Sequence, residues 1–114
     1  MGNRVNKLLF DILTSIENID NYIGEKREYE LYDNNPMLQD AVERNIEIIG
    51  EAMNKVLDIL PDITISNSRR IVDARNKIIH GYDEIENVQI WGIIINHLPK
   101  LKEEVGILLD IDNL

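Results

Sequence analysis

Apolar residues recur along most of this chain at steps of three and four, the repeat that gathers side chains on one face of an α-helix. Val5, Leu8, Leu9, Ile12, Ile16, Ile19 and Ile23 form the first stripe, and Gly24 is placed to stop it. The second stripe, Leu38, Val42, Asn45, Ile49, Ala52, Val56 and Ile59, follows Asn35-Pro36. An asparagine cap with proline in the first turn marks a helix start, and Pro61 marks its end. A third helix begins near Ser66 or Ser68, either of which could cap it, and carries Ile71, Val72, Ile78 and Ile79. Gly81 is well placed to close that helix. The fourth runs from about Glu86 to Leu109, with Val88, Trp91, Ile94, Ile95, Leu98, Leu101, Val105 and Leu108 as its seam. Pro99 should bend this helix or split it, because proline lacks a backbone donor and crowds the preceding turn.

The charged, tyrosine-containing stretch 25–36 reads as a connection with one helical turn. No segment alternates with period two between hairpin turns, so strands are not expected. The pattern predicts an all-α fold, a four- to five-helix bundle occupying residues 1–114 as a single domain.

Composition narrows the picture without redirecting it. The 114 residues are 44% apolar and 29% charged, an ordinary globular balance. There is no cysteine, so no disulfide framework or thiolate site is possible, which suits a reducing compartment. No apolar run approaches the roughly 20 residues that span a bilayer. The N-terminus also lacks the apolar core of a signal peptide, and a cytoplasmic location is expected.

Charge changes more. The net value is -9, which argues against coating a long polyanion. Yet residues 66–82 hold Arg69, Arg70, Arg75 and Lys77 against Asp73 alone, a net of +3, leaving -12 on the remainder. A local basic site on an acidic body fits a brief encounter with RNA. One Trp, one Phe and four Tyr are too few for an extended base-stacking platform.

The basic segment carries the chemistry. Arg75 brings a permanent charge with forked donors that match phosphate oxygens. His80 can move a proton near neutral pH. Asn76 offers an amide and Tyr82 a hydroxyl. Arginine and histidine suffice for metal-independent RNA cleavage, in which the ribose 2′-hydroxyl is the internal nucleophile. The protein need only move protons and stabilise charge at phosphorus. Spacing limits this reading. Five helical residues turn about 500°, so Arg75 and His80 would lie roughly 140° apart on an unbroken helix. Two routes resolve this, and both acting together are expected: Gly81 ends the helix at His80 and lets that ring swing back, and a twofold dimer gathers both motifs into one cleft. The same spacing also fits a solvated helix end, with Arg75 paired to Asp73, Glu43 or Glu47 and His80 as a cation near a helix C-terminus.

Other candidates stay two-sided. Asn45 interrupts the second stripe; it is either buried with partners from the motif helix or set at the stripe's edge in water. Glu43, Glu47 and Glu51 form an i, i+4, i+8 row, but Glu-x-x-His partners are absent and the chain has only His80 and His97. An ion-pairing or solvated face is expected there rather than a metal site, with Glu47 available to orient Arg75 or Arg44. Arg69, Arg70 and Lys77 read as RNA-backbone contacts or as surface cations. Trp91 and Tyr22 read as core. No cofactor is expected.

Arg75-Asn76-Lys77-Ile78-Ile79-His80-Gly81-Tyr82 resembles the Arg-x4-His-x-Tyr signature of HepT-like toxins in the HEPN superfamily. Residues 41–52 resemble that family's second helix. Val88-Gln89-Ile90-Trp91, leading to His97-Leu98-Pro99-Lys100-Leu101, resembles its last. The resemblance covers most of residues 5–109. It implies a HEPN-like homodimer with the motif at the cleft between protomers, leaving open any higher assembly. It also implies a metal-independent endoribonuclease, the toxin of a toxin–antitoxin module. Arg75 would then stabilise the transition state and His80 act as general acid or base, with Asn76 positioning. Tyr82 would match the tyrosine that a cognate MntA-like nucleotidyltransferase antitoxin modifies with AMP. The alternative is a non-catalytic subunit that binds substrate or nucleotide for a paired nucleotidyltransferase, whose basic surface would complement this acidic one.

Overall fold

The computed structural model describes residues 2–81 and 85–112, and every regular element among them is helical. Helix α1 spans Asn3–Ile23 and stops at Gly24, whose φ of 71° lies in the left-handed region. The Gly24 amide donates to the Asp20 carbonyl at 2.9 Å. Helix α2 is the short turn Tyr29–Asp33. Helix α3 spans Pro36–Ile59, with the Asn35 side chain accepting from the Leu38 amide at 3.1 Å and proline in the first turn, as the pattern predicts. Helix α4 spans Ser68–His80. Helix α5, Asn87–Gly92, continues through a π-helical turn, Ile93–His97, into α6, Leu98–Asp112. The all-α bundle is therefore built from five helical rods, the last being 87–112.

One local expectation is corrected and another is narrowed. Helix α4 is capped neither by Ser66 nor by Ser68. The residue before it is Asn67, at φ 61° and without a side-chain cap bond. Asparagine tolerates this left-handed conformation better than most residues, and it turns the chain sharply into the helix. The Ser66 amide instead donates to Glu104 Oε2 at 2.8 Å, tying the entry of α4 to α6. At Pro99 the helical backbone is not split. The missing donor and the crowded carbonyl fall on the turn beginning near Ile95, and the widened π turn 93–97 takes them up.

The core is one contiguous cluster. Leu9, Ile12, Ile16 and Ile19 of α1 pack with Ile46, Ile49, Met53 and Val56 of α3. Leu98, Leu101 and Val105 close it from the last rod, and Ile71, Val72 and Ala74 bring in α4. Burying each Leu or Ile contributes roughly 1.5–3 kcal/mol before chain entropy is counted. The stretch 25–36 contributes more than a connection. Tyr32 is 1% exposed, and its ring lies 5.7 Å from that of Trp91, with Tyr29 at 6.2 Å on the same indole. Trp91 is thus packed against the core, whereas Tyr22 is 49% exposed and is not a core residue. Among the described residues, no helix is long and apolar enough to cross a membrane.

Asn45 is buried at 6% exposure, but its partners are not on α4. Its Oδ1 accepts from Asn18 Nδ2 of α1 at 3.3 Å, and its Nδ2 donates to the Ala41 carbonyl at 2.9 Å. The residue is a polar pin between α1 and α3, away from the Arg75 segment. Replacing Asn45 by Ala strips Asn18 of its partner and should cost about 1–3 kcal/mol, read as a lower urea midpoint at unchanged slope.

Candidate active site

Helix α4 presents two working faces. Ile71, Arg75 and Ile78 follow the i, i+4, i+7 line and face α3. Asp73, Lys77 and His80 follow another line about 140–200° away. The helix is unbroken from Arg75 through His80, and Gly81 ends it at φ 61° with its amide donating to the Lys77 carbonyl at 3.0 Å. The stop at Gly81 is as expected, but it comes after His80 is already helical. Within one chain, Arg75 and His80 therefore leave the helix on different faces.

The Arg75 face depends on Gly50, which sequence reasoning did not single out. A Cβ built on Gly50 would overlap Arg75 Cβ, and would stand 2.9 Å from Arg75 Cγ and 3.0 Å from the Ile71 carbonyl oxygen. The absence of a side chain lets α4 lie directly on α3 at the arginine. The available signal was the glycine itself, which costs a helix interior about 1 kcal/mol and in a 24-residue helix calls for a packing reason.

The Arg75 guanidinium is held but not neutralised. One terminal nitrogen donates to Asn76 Oδ1 at 3.0 Å, and Nε is buried without a hydrogen-bond partner. Among the described residues it makes no ion pair. Glu47, a candidate orienting group, pairs with Arg44 at 3.1 Å, and Glu51 lies 3.5 Å from Lys55. Glu43 is half-buried, and burial, then the nearby Asp40 and Glu47, push its carboxyl pKa up. Two of the three carboxylates in the row are thus ion-paired, and no group of three acidic or histidine side chains converges among the described residues. His80 is exposed at the last helical position. Tyr82 lies outside the described residues.

Arg69 and Lys77 are exposed on α4, and Arg70 reaches across to the last rod. Its terminal nitrogen lies 3.0 Å from His97 Nε2, which accepts as a neutral imidazole. Burial, and then the Arg70 charge, hold the His97 pKa below its ordinary 6.5. Between α4 and this rod lies a cleft of about 640 Å³.

On one helix of an all-helical bundle the site thus combines an exposed histidine with an arginine that makes no ion pair among the described residues. Residues 12–107 match the family described as Ribonuclease HepT-like. A Methanocaldococcus jannaschii protein provisionally named an RNase is 33% identical over 108 residues, covering 91% of this chain and 95% of its own. A second from that organism, named likewise, is 31% identical over 110 residues, 95% and 90% of the two chains. A third is 30% identical over 101 residues, 88% and 86%. No solved structure matches. The chain belongs to the HepT-like ribonuclease family.

Two measurements test the site's construction. Gly50→Ala should lower the melting temperature despite alanine's better helix propensity, because overpacking costs about 1–3 kcal/mol. Gly106→Ala, on α6 with nothing within 4 Å of the added carbon, should be neutral or stabilising. By proton NMR, His97 should titrate below 6.5, and Arg70→Ala should move it upward. The sign for stability follows from proton uptake. An imidazole whose folded pKa is lowered binds its proton more readily in the unfolded chain, so its linkage lowers stability as pH falls through 6.5.

Proposed function

We propose that this protein is a metal-independent endoribonuclease, the toxin of a HEPN–nucleotidyltransferase toxin–antitoxin module, working in the cytoplasm as a homodimer. The observation that carries the reading is the Arg75 guanidinium, fixed by the Gly50 contact and by Asn76 and, among the described residues, left without a carboxylate. Nε is buried away from solvent, so a phosphate oxygen would meet the terminal nitrogens of the same guanidinium, whose forked donors match it. The relatives named as RNases support RNA as the substrate class.

The ribose 2′-hydroxyl attacks the adjacent phosphorus, the bond to the 5′-oxygen breaks, and the products are a 2′,3′-cyclic phosphate and a 5′-hydroxyl. Arg75 stabilises the charge that grows on the phosphoryl oxygens. His80 moves one of the two protons, from the nucleophile or to the leaving group. The roughly 140° between these side chains on one helix favours a cleft between two protomers, in which motifs from both copies face one phosphate. Arg69, Arg70 and Lys77 supply backbone contacts. Tyr82 is the acceptor of AMP from an MntA-like nucleotidyltransferase antitoxin, and the added negative charge and bulk would repel RNA from the cleft.

Purified wild type should cleave RNA in the presence of a chelator and leave cyclic phosphate ends. Arg75→Ala and His80→Ala should each lower the rate by about 10²-fold or more while the melting curve stays in place. Induced expression should arrest a bacterial host with loss of RNA, relieved by either substitution. Normal growth and intact RNA with folded, unmodified wild type would replace this reading with the non-catalytic binding subunit.

A further inference from the structure

The cleft between α4 and the 87–112 rod is not part of the Arg75 face, and neither the family resemblance nor the motif assigns it a task. One wall is Arg70, Asp73, Ala74 and Lys77, the line on α4 turned away from α3. The opposite wall carries Gln89, Ile93, Asn96 and His97. Its volume, about 640 Å³, exceeds what one nucleotide needs and lies within the usual range of small-molecule sites. Arg70 and Lys77 against Asp73 give the lining a net positive charge on a chain of net -9.

The two cations are seven residues apart, so about 10.5 Å of helix rise separates them. They stand two helical turns apart along one wall of the cleft, so two flexible cations can reach the phosphates that flank a single nucleotide. Between them Ala74 and Ile93 form an apolar floor, and the Gln89 and Asn96 amides offer both donors and acceptors to a base edge. Asp73 sits between the cations, makes no ion pair with either, and can accept from ribose hydroxyls. His97, by accepting from Arg70, holds the guanidinium across the cleft and leaves its other donors for a phosphate. Lys77 is one helical turn from His80, so the bracketed nucleotide adjoins the proton-transfer group.

We infer that this cleft is a substrate subsite that holds one ribonucleotide next to the scissile phosphate, with Arg70 and Lys77 on the flanking phosphates and Gln89 and Asn96 at the base. The inference rests on the ribonuclease reading for its meaning, but binding can be tested without turnover. In cleavage of a short RNA, Arg70→Gln and Asn96→Ala should each raise KM about five- to tenfold with kcat nearly unchanged. The wild-type protein titrated with uridine 3′-monophosphate should show NMR shifts at the Gly92 and Asn96 amides and the His97 ring, diminished in Arg70→Gln. If wild type cuts no RNA but these shifts appear, the ribonuclease reading fails and the nucleotide site stands. If RNA is cut while KM is unmoved and the shifts are absent, the subsite is overturned.

Discussion

Helices α3 and α4 meet at Gly50, where the backbone of one helix lies against the first side-chain carbons of Arg75 on the other. Interiors are close-packed, and a single methyl at this point has nowhere to go without shifting a helix axis. The contact fixes the height and rotation of α4 on the bundle. That rotation in turn decides which residues of the helix face α3, which face the last rod and which face water. The fixed rotation puts Arg75 on the packed side, and sets Arg70, Asp73 and Lys77 along the cleft.

The rest of the molecule serves this placement at modest expense. The Ser66–Glu104 bond and the left-handed Asn67 bring the chain onto α4 at a defined angle, and Gly81 takes it off again. The α1–α3 pair supplies the larger share of the apolar core and is held in register by the Asn18–Asn45 amides. A rigid pair of this kind gives α4 a platform, so the Arg75 guanidinium is held with its own Nε unpaired and, among the described residues, without an ion pair. Preorganisation of that sort is what transition-state charge stabilisation requires.

The last rod shows the opposite economy. Proline inside a helix removes a donor and crowds a carbonyl, yet the rod runs on because the turn before it opens into a π turn. That turn carries Asn96 and His97 into the cleft, where His97 meets Arg70. A residue that would ordinarily damage a helix thus lies beside a widened turn whose side chains take part in a cross-helix contact.

Much of the fold was legible in the chain. The apolar repeats, the Asn35-Pro36 start and the Gly24 and Gly81 stops are local signals, because helix period and capping depend on residues within one or two turns. The clash of the Arg75–His80 spacing with a single helix face was readable for the same reason. Other features were not. That Asn45 answers to Asn18, that Tyr22 stays in water, and that Gly50 exists for Arg75 all depend on how separate helices are rotated against one another. A helical stripe says which face is buried but not which neighbour covers it, since many rotations bury similar area. The choice among them is made by close packing between residues far apart in sequence, and only the tertiary structure records it.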